Sequence, residues 1–153
     1  MLIKSSYTPL GFAKWVRKVL NDANGVDSDG VFGNQCVDVP KDYTETVLYP
    51  KLSAYEVGIH GNGKDIYKNA KLDYFIKVPY SISRRLCWAQ RGDIICWGAT
   101  ATNKYGHTAV VVSRKLFNRH SFTVVEQNGF NPDGKAYKVK RTYKNMVGIV
   151  RHK

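Results

Sequence analysis

The chain is poor in cysteine, in acidic side chains and in long apolar runs. Its 153 residues hold 3 cysteines, an odd number, so a closed disulfide framework is excluded and at least one thiol is free. Cys87 and Cys96 lie in apolar surroundings (Leu86-Cys87-Trp88 and Ile94-Ile95-Cys96-Trp97) and read as inert buried thiols, whereas Cys36 has polar neighbours on its N-terminal side. No apolar run is long enough to cross a bilayer, and Met1-Leu2-Ile3-Lys4-Ser5-Ser6-Tyr7-Thr8-Pro9 lacks the apolar core of a signal peptide, which predicts neither membrane insertion nor conventional export. Asp and Glu total 12 against 24 Lys and Arg, and the resulting charge of +12 draws the molecule toward polyanions such as nucleic acid, anionic lipid or teichoic acid. Internal repeats, low-complexity tracts, linkers, zinc-ligand spacings and glycine-rich phosphate loops are all missing.

What is present suffices for one core. With 43% hydrophobic and 12% aromatic residues in the length of one domain, residues 1–153 are expected to form a single unit. Thr8 and Pro9 suit the N-cap and first position of a helix whose apolar face is Phe12, Trp15, Val16, Val19 and Leu20, ending at Asn24-Gly25. A second helix is expected from about Cys36 to Leu48, with Val37, Tyr43 and Val47 inward and Pro40 in its first turn, and a short one near Lys64 to Asn69. From Tyr74 the pattern changes to short strands: Tyr74–Val78, Asp93–Trp97, Thr108–Ser113, Phe122–Glu126, Ala136–Arg141 and Val147–Val150, most of them separated by turn residues. Helices followed by a run of strands predict an α+β fold, N-terminal helices packed on an antiparallel sheet of about six strands.

Chemistry concentrates in residues 25–38, where a thiol and three carboxylates stand in a turn-rich loop running into the second helix. Cys36 would lie at or near the first helical turn, where free N–H groups and the macrodipole favour a thiolate. His107 opens an apolar strand, and Glu126 and Asn128 stand at the exit of the next. If those strands pair as a hairpin, the imidazole and the carboxylate or amide become neighbours. A thiol facing an imidazole that a third group orients is the arrangement for nucleophilic attack on an amide.

Gln35-Cys36-x-Asp38, Tyr105-Gly106-His107 and Val125-Glu126-Gln127-Asn128 resemble, in this order, the Cys, His, Glu and Asn signatures of the CHAP domain. This is the cysteine- and histidine-dependent amidohydrolase/peptidase module of phage endolysins and related wall hydrolases. The resemblance spans about residues 25 to 150 and implies a papain-like fold, with bacterial peptidoglycan as substrate. Carried over residue by residue, it makes Cys36 the nucleophile, His107 the base that keeps it ionised and later protonates the leaving amine, Glu126 the group that orients the imidazolium, and Asn128 the fourth member. The Cys36 N–H is a natural oxyanion donor, and by analogy with papain-like enzymes the Gln35 side chain supports it. His60, His120 and His152 have no such context and are expected to face solvent.

Asp27, Asp29 and Asp38 fall at positions 1, 3 and 12 of a twelve-residue loop, the spacing by which an EF-hand presents oxygens to calcium. The match is partial: Val31 and Gly33 at positions 5 and 7 offer only main-chain carbonyls, and Phe32 replaces the glycine of position 6. Some CHAP domains bind calcium with such a loop, and the resemblance to that subgroup implies a structural calcium held by Asp27, Asp29, Val31, Gly33 and Asp38, with no organic cofactor.

The expected function is a lysin-type cysteine hydrolase of peptidoglycan, either an endopeptidase or an N-acetylmuramoyl-L-alanine amidase, acting as a monomer without nucleic acid. The basic surface would engage teichoic acid, with no separate wall-binding domain. Its place would be the host cytoplasm and then the wall after holin-mediated release, or the virion. The rival is a non-catalytic basic module binding wall or nucleic acid through Arg84-Arg85, Arg114-Lys115 with Arg119, and the run Lys135 to Lys144, where Lys138, Lys140, Arg141 and Lys144 mingle with Tyr137 and Tyr143.

Overall fold

The computed structural model describes residues 3–83, 89–115, 117–129 and 133–153. Helix α1 (Pro9–Leu20) begins as its sequence predicts: the Thr8 hydroxyl accepts the Gly11 N–H, proline takes the first position, and Phe12, Trp15, Val16 and Val19 form the buried stripe. It stops at Asn21, short of Asn24-Gly25, because the Asp22 carboxylate accepts the Asn24 N–H and closes a local turn that competes with the helix.

Helix α2 (Asp38–Tyr43) starts at Asp38 and leaves Cys36 in the preceding turn, which the Asp38 carboxylate closes by accepting the Gln35 N–H at 2.7 Å. Pro40 falls in the first turn, where its missing N–H breaks nothing. The helix continues as a π turn over Thr44–Leu48, where the Thr44 hydroxyl takes the Pro40 carbonyl and the Tyr49 N–H reaches back to Thr44. Two short helices were not anticipated. In α3 (Ala54–Val57), Ser53 and Glu56 form a reciprocal capping box, a signal legible in Ser53-Ala54-Tyr55-Glu56; α4 (Ile66–Asn69) is the expected short helix, and α5 (Tyr80–Ser83) follows the first strand.

All six expected strands form: β1 (Phe75–Pro79), β2 (Ile94–Trp97), β3 (His107–Ser113), β4 (Ser121–Glu126), β5 (Tyr137–Thr142) and β6 (Met146–His152). They make one antiparallel sheet in the order β1-β6-β2-β3-β4-β5. Alternation divides its side chains between two cores. Ile94, Cys96, Val110, Val125 and Val150 face the helices, where they join Phe12, Tyr43 and Leu48. Ile95, Trp97, Ala109, Val111, Phe122, Val124 and Ile149 pack on the opposite face. Cys96 is fully buried, and burial pushes its thiol up to about 12, as befits an inert core cysteine. Cys87, like Arg84-Arg85, lies outside the described residues.

Two histidines expected at the surface are half-buried. His60 stacks on Tyr55 at 4.4 Å; His152 stacks on Tyr7 at 4.5 Å and hydrogen-bonds the Ser5 hydroxyl. Only His120 of the three is exposed.

The sheet also holds a buried ion pair. Asp93, before β2, accepts two hydrogen bonds of 2.8 Å from Arg151 of β6 and a third from the Gln90 N–H, with 1% of its surface exposed. Arg151→Ala would strand that carboxylate and should cost about 3–5 kcal/mol. In a domain of this size that lowers Tm by about 6–20 °C in a calorimetric scan. A drop below about 2 °C would mean that Asp93 is satisfied without Arg151.

Candidate active site

The loop that carries Cys36 is sewn to the end of β4. Gln127, fully buried, pairs with Val26 through both halves of its amide, accepting the Val26 N–H at 3.0 Å and donating to the Val26 carbonyl, and it also donates to the Gln35 carbonyl at 2.8 Å. Asn128 donates to the Asn34 carbonyl, and Asn34 in turn donates to the carbonyls of Asn24 and Gly134. A loop that local propensity leaves free is therefore held at both ends by side-chain amides.

Cys36 packs against the helix-side core and is half-buried. Burial pushes its thiol up to about 11, and the charges of Asp38 and Glu126 push the same way; hydrogen bonds from the main chain of Thr108 and of Cys36 itself oppose them without prevailing. The thiolate that the helix N-terminus is expected to favour is opposed here by desolvation, which outweighs the end of a six-residue helix. The main-chain bond from Thr108 brings the sulfur to the residue that follows His107 in β3.

His107 is 8% exposed and lies between Trp97, stacked at 5.8 Å, and Glu126, whose Oε2 is 2.9 Å from its Nε2. A carboxylate accepts, so Nε2 carries the hydrogen and Nδ1 is left as the basic nitrogen. Glu126 has no solvent exposure and takes three further donors: Arg141 through Nε (2.8 Å) and Nη2 (2.6 Å), and the Tyr137 hydroxyl (2.8 Å). Burial raises its pKa, but the hydrogen bonds from His107, Arg141 and Tyr137 outweigh burial and hold it at about 2. Gly129 makes room for this cluster: a β-carbon there would stand 2.1 Å from Glu126 Oε1 and 2.6 Å from the Arg141 guanidinium.

The structure pairs His107 with Glu126 at the ends of β3 and β4 and brings the Cys36 sulfur to the main chain of Thr108, within electrostatic reach of Glu126. Asn128 is beside them with a different task, since its amide holds the Cys36 loop while its own backbone is left-handed at φ 52°. Gln35 lines the Cys36 cavity, with its side-chain amide turned to the Val31 carbonyl at 3.2 Å. Tyr137 and Arg141, which the sequence places in a basic face, turn inward instead. They alternate with Lys138 and Lys140 along β5, and the half-buried set, Tyr137, Val139 and Arg141, is the one that period-2 alternation could have separated from the exposed lysines. The inward role of Gln127 left no such trace.

Asp27, Asp29 and Asp38 also converge, each offering a carboxylate oxygen within 4.8 Å of the others. Asp38 is buried and raised in pKa by desolvation, and the Ser28 hydroxyl donates to its Oδ1 at 3.2 Å. The Lys41 ammonium bonds Asp29, lowering its pKa, and lies 3.9 Å from Asp38. Of the two main-chain carbonyls expected to face a calcium ion, that of Val31 already accepts from Gln35.

The described residues contain no helix long and apolar enough to cross a membrane. In comparisons with known proteins, endolysin PlyTW of Staphylococcus phage Twort (strain DSM 17442 / HER 48) is 27% identical over 111 residues, 72% of this chain and 22% of that protein. The crystal structure of endolysin LysIME-EF1 superposes with a TM-score of 0.73 at 21% identity, covering 95% of this chain and 64% of that one. The structure of Ly7917 gives 0.69 at 16% identity, over 95% and 62%. These two share the mixed fold of helices on a six-stranded antiparallel sheet; the chain spans about a fifth of the Twort protein and just under two thirds of the solved ones. The family model of the CHAP domain matches residues 23–128, well over half the length, and the chain belongs to that family.

Proposed function

We propose that this chain hydrolyses amide bonds of bacterial peptidoglycan through a Cys36 acyl-enzyme. The observation that carries the reading is a half-buried thiol hydrogen-bonded to the main chain of the residue after His107, with the His107 imidazole held through Nε2 by a buried, ionised carboxylate that leaves Nδ1 as the basic nitrogen. As the Cys36 sulfur bonds to the carbonyl carbon, its proton passes to His107 Nδ1, and the Cys36 N–H receives the developing oxyanion. The C–N bond then breaks as His107 returns the proton to the leaving amine. Water attacks the thioester with His107 as base, and the sulfur leaves with that proton. A thiol near 11 supplies almost no thiolate at neutral pH, so proton transfer to His107 is part of each attack. Asn128 acts by holding the Cys36 loop, and the Gln35 amide supports the oxyanion if it leaves Val31.

The scissile bond is either the N-acetylmuramoyl-L-alanine amide or a bond of the stem or cross-bridge. The Asp-rich loop resembles endopeptidase members of the family more. Mass spectrometry of fragments released from purified Gram-positive peptidoglycan names the bond: new L-alanine amines mean an amidase, cuts at D-alanine or the bridge an endopeptidase. Cys36→Ala should release nothing. Equal release by the mutant would return the chain to the basic binding module.

Glu126→Gln should lower kcat/KM by about 100-fold or more, because the imidazolium loses its charge partner and its tautomer is no longer fixed. The same carboxylate ties stability to pH. Its folded pKa of about 2 lies below the ordinary 4.5, so its contribution is complete above about pH 4.5 and is lost as pH falls toward 2. By linkage the loss is about 3 kcal/mol. Urea denaturation between pH 6 and pH 2 should show a shallower decline in Glu126→Gln; an identical decline would remove Glu126 as its source.

The same reading extends to a structural calcium. Three converging carboxylates, one of them buried, suit a hard dication with the Gly33 carbonyl as a further oxygen, and the Lys41 ammonium would have to leave Asp29 to admit it. Saturating calcium should raise Tm by about 5–10 °C over an EGTA-treated sample. Asp29→Asn should abolish the shift and Lys41→Met enlarge it. A Tm identical in EGTA and in millimolar calcium would exclude the ion.

A further inference from the structure

The loop before Cys36 uses left-handed backbone at Gly30 (φ 68°), Phe32 (φ 60°) and Gly33 (φ 66°). A β-carbon on either glycine would meet nothing within 4 Å, so glycine is there for backbone freedom alone. Phe32 holds the same conformation with a full side chain, which costs an L-residue free energy that glycine would not lose. Packing does not offset the cost, since Phe32 is 91% exposed. It lines the cavity that contains Cys36, together with Tyr105, itself 54% exposed.

That cavity is neutral. Besides the two aromatics and the thiol its polar side chains are amides, among them Gln35, Asn62 and Asn128, and among the described residues none that lines it is charged. The adjoining groove beyond Asn128 is of the other kind, with Lys140, Arg141 and Lys144 on its lining. Aromatic faces with scattered amides suit an uncharged peptide segment; carboxylates and phosphates are better held by the basic groove.

We propose that Phe32 is a specificity-determining residue of the Cys36 site, packing on the uncharged peptide segment next to the scissile amide with Tyr105 on the same cavity. This rests on the peptidoglycan-hydrolase reading and adds the side of the thiol on which the neutral part of the substrate lies. A side chain held in strain at full exposure has its contact when substrate is bound.

The test is kinetics on soluble peptidoglycan fragments with the native protein, Phe32→Gly and Phe32→Tyr, alongside thermal unfolding. Phe32→Gly should raise KM about tenfold with kcat within about twofold, because a contact equal in ground and transition states is lost. Its Tm should be unchanged or up to about 3 °C higher, since strain is relieved. Phe32→Tyr should restore the native KM. A native KM in Phe32→Gly would overturn the proposal alone, and so would a Tm that falls together with kcat, the mark of a purely structural residue. A native protein that releases no fragments would overturn this proposal and the hydrolase reading together.

Discussion

A carboxylate without solvent exposure stays ionised only when fixed donors replace its water. Glu126 has four donor contacts, one from His107, two from Arg141 and one from Tyr137. Each is useful only while the others hold, because one vacancy leaves a buried charge partly unsatisfied. The pairing of β4 with β5 sets Tyr137 opposite Glu126 and Arg141 opposite Phe122, and the Arg141 guanidinium also covers the Trp97 ring at 5.5 Å. Trp97 stacks on His107. Ring plane and tautomer of the imidazole therefore both follow from one charge cluster.

The last residue of β4 and the three that follow it divide the remaining work by alternation. Glu126 points to the face that holds Trp97 and His107, Gln127 to the helix side, where it fixes Val26 and Gln35. Asn128 leaves the strand through a left-handed turn to hold Asn34, and Gly129 leaves space for the Glu126 cluster. One short segment thereby positions the imidazole from one side of the sheet and the thiol loop from the other. A register slip of one residue would exchange the two roles and lose both.

The strands were legible because alternation and turn residues are local signals, and α1 because its cap, proline and apolar stripe agree. Cys36, His107 and Glu126 were legible through ordered short motifs. What stayed hidden depends on partners distant in sequence. Arg141 belongs to a cluster that looks solvated, and only the burial of Glu126 draws it inward. Gln127 lies 101 residues from Val26, beyond any local pattern. Helix α2 starts at Asp38 and not at Cys36 because the Asp38 side chain, in sequence a candidate calcium ligand, closes the turn that contains Cys36.

Exclusion of water pushes the pKa of both Cys36 and Glu126 upward, and only at Glu126 is that push overcome. Desolvation disfavours charge on both groups, but Glu126 has cationic and hydroxyl donors enough to overcome it, and the sulfur has main-chain donors only. Burial thus opposes negative charge on the sulfur, while fixed donors hold it on the carboxylate. Such a thiol is a poor nucleophile until a proton acceptor stands beside it, which limits adventitious oxidation and alkylation of a half-buried cysteine. Under the proposed mechanism activation belongs to the approach of thiol and imidazole, and Gln127 and Asn128, which hold the loop, act by setting that approach.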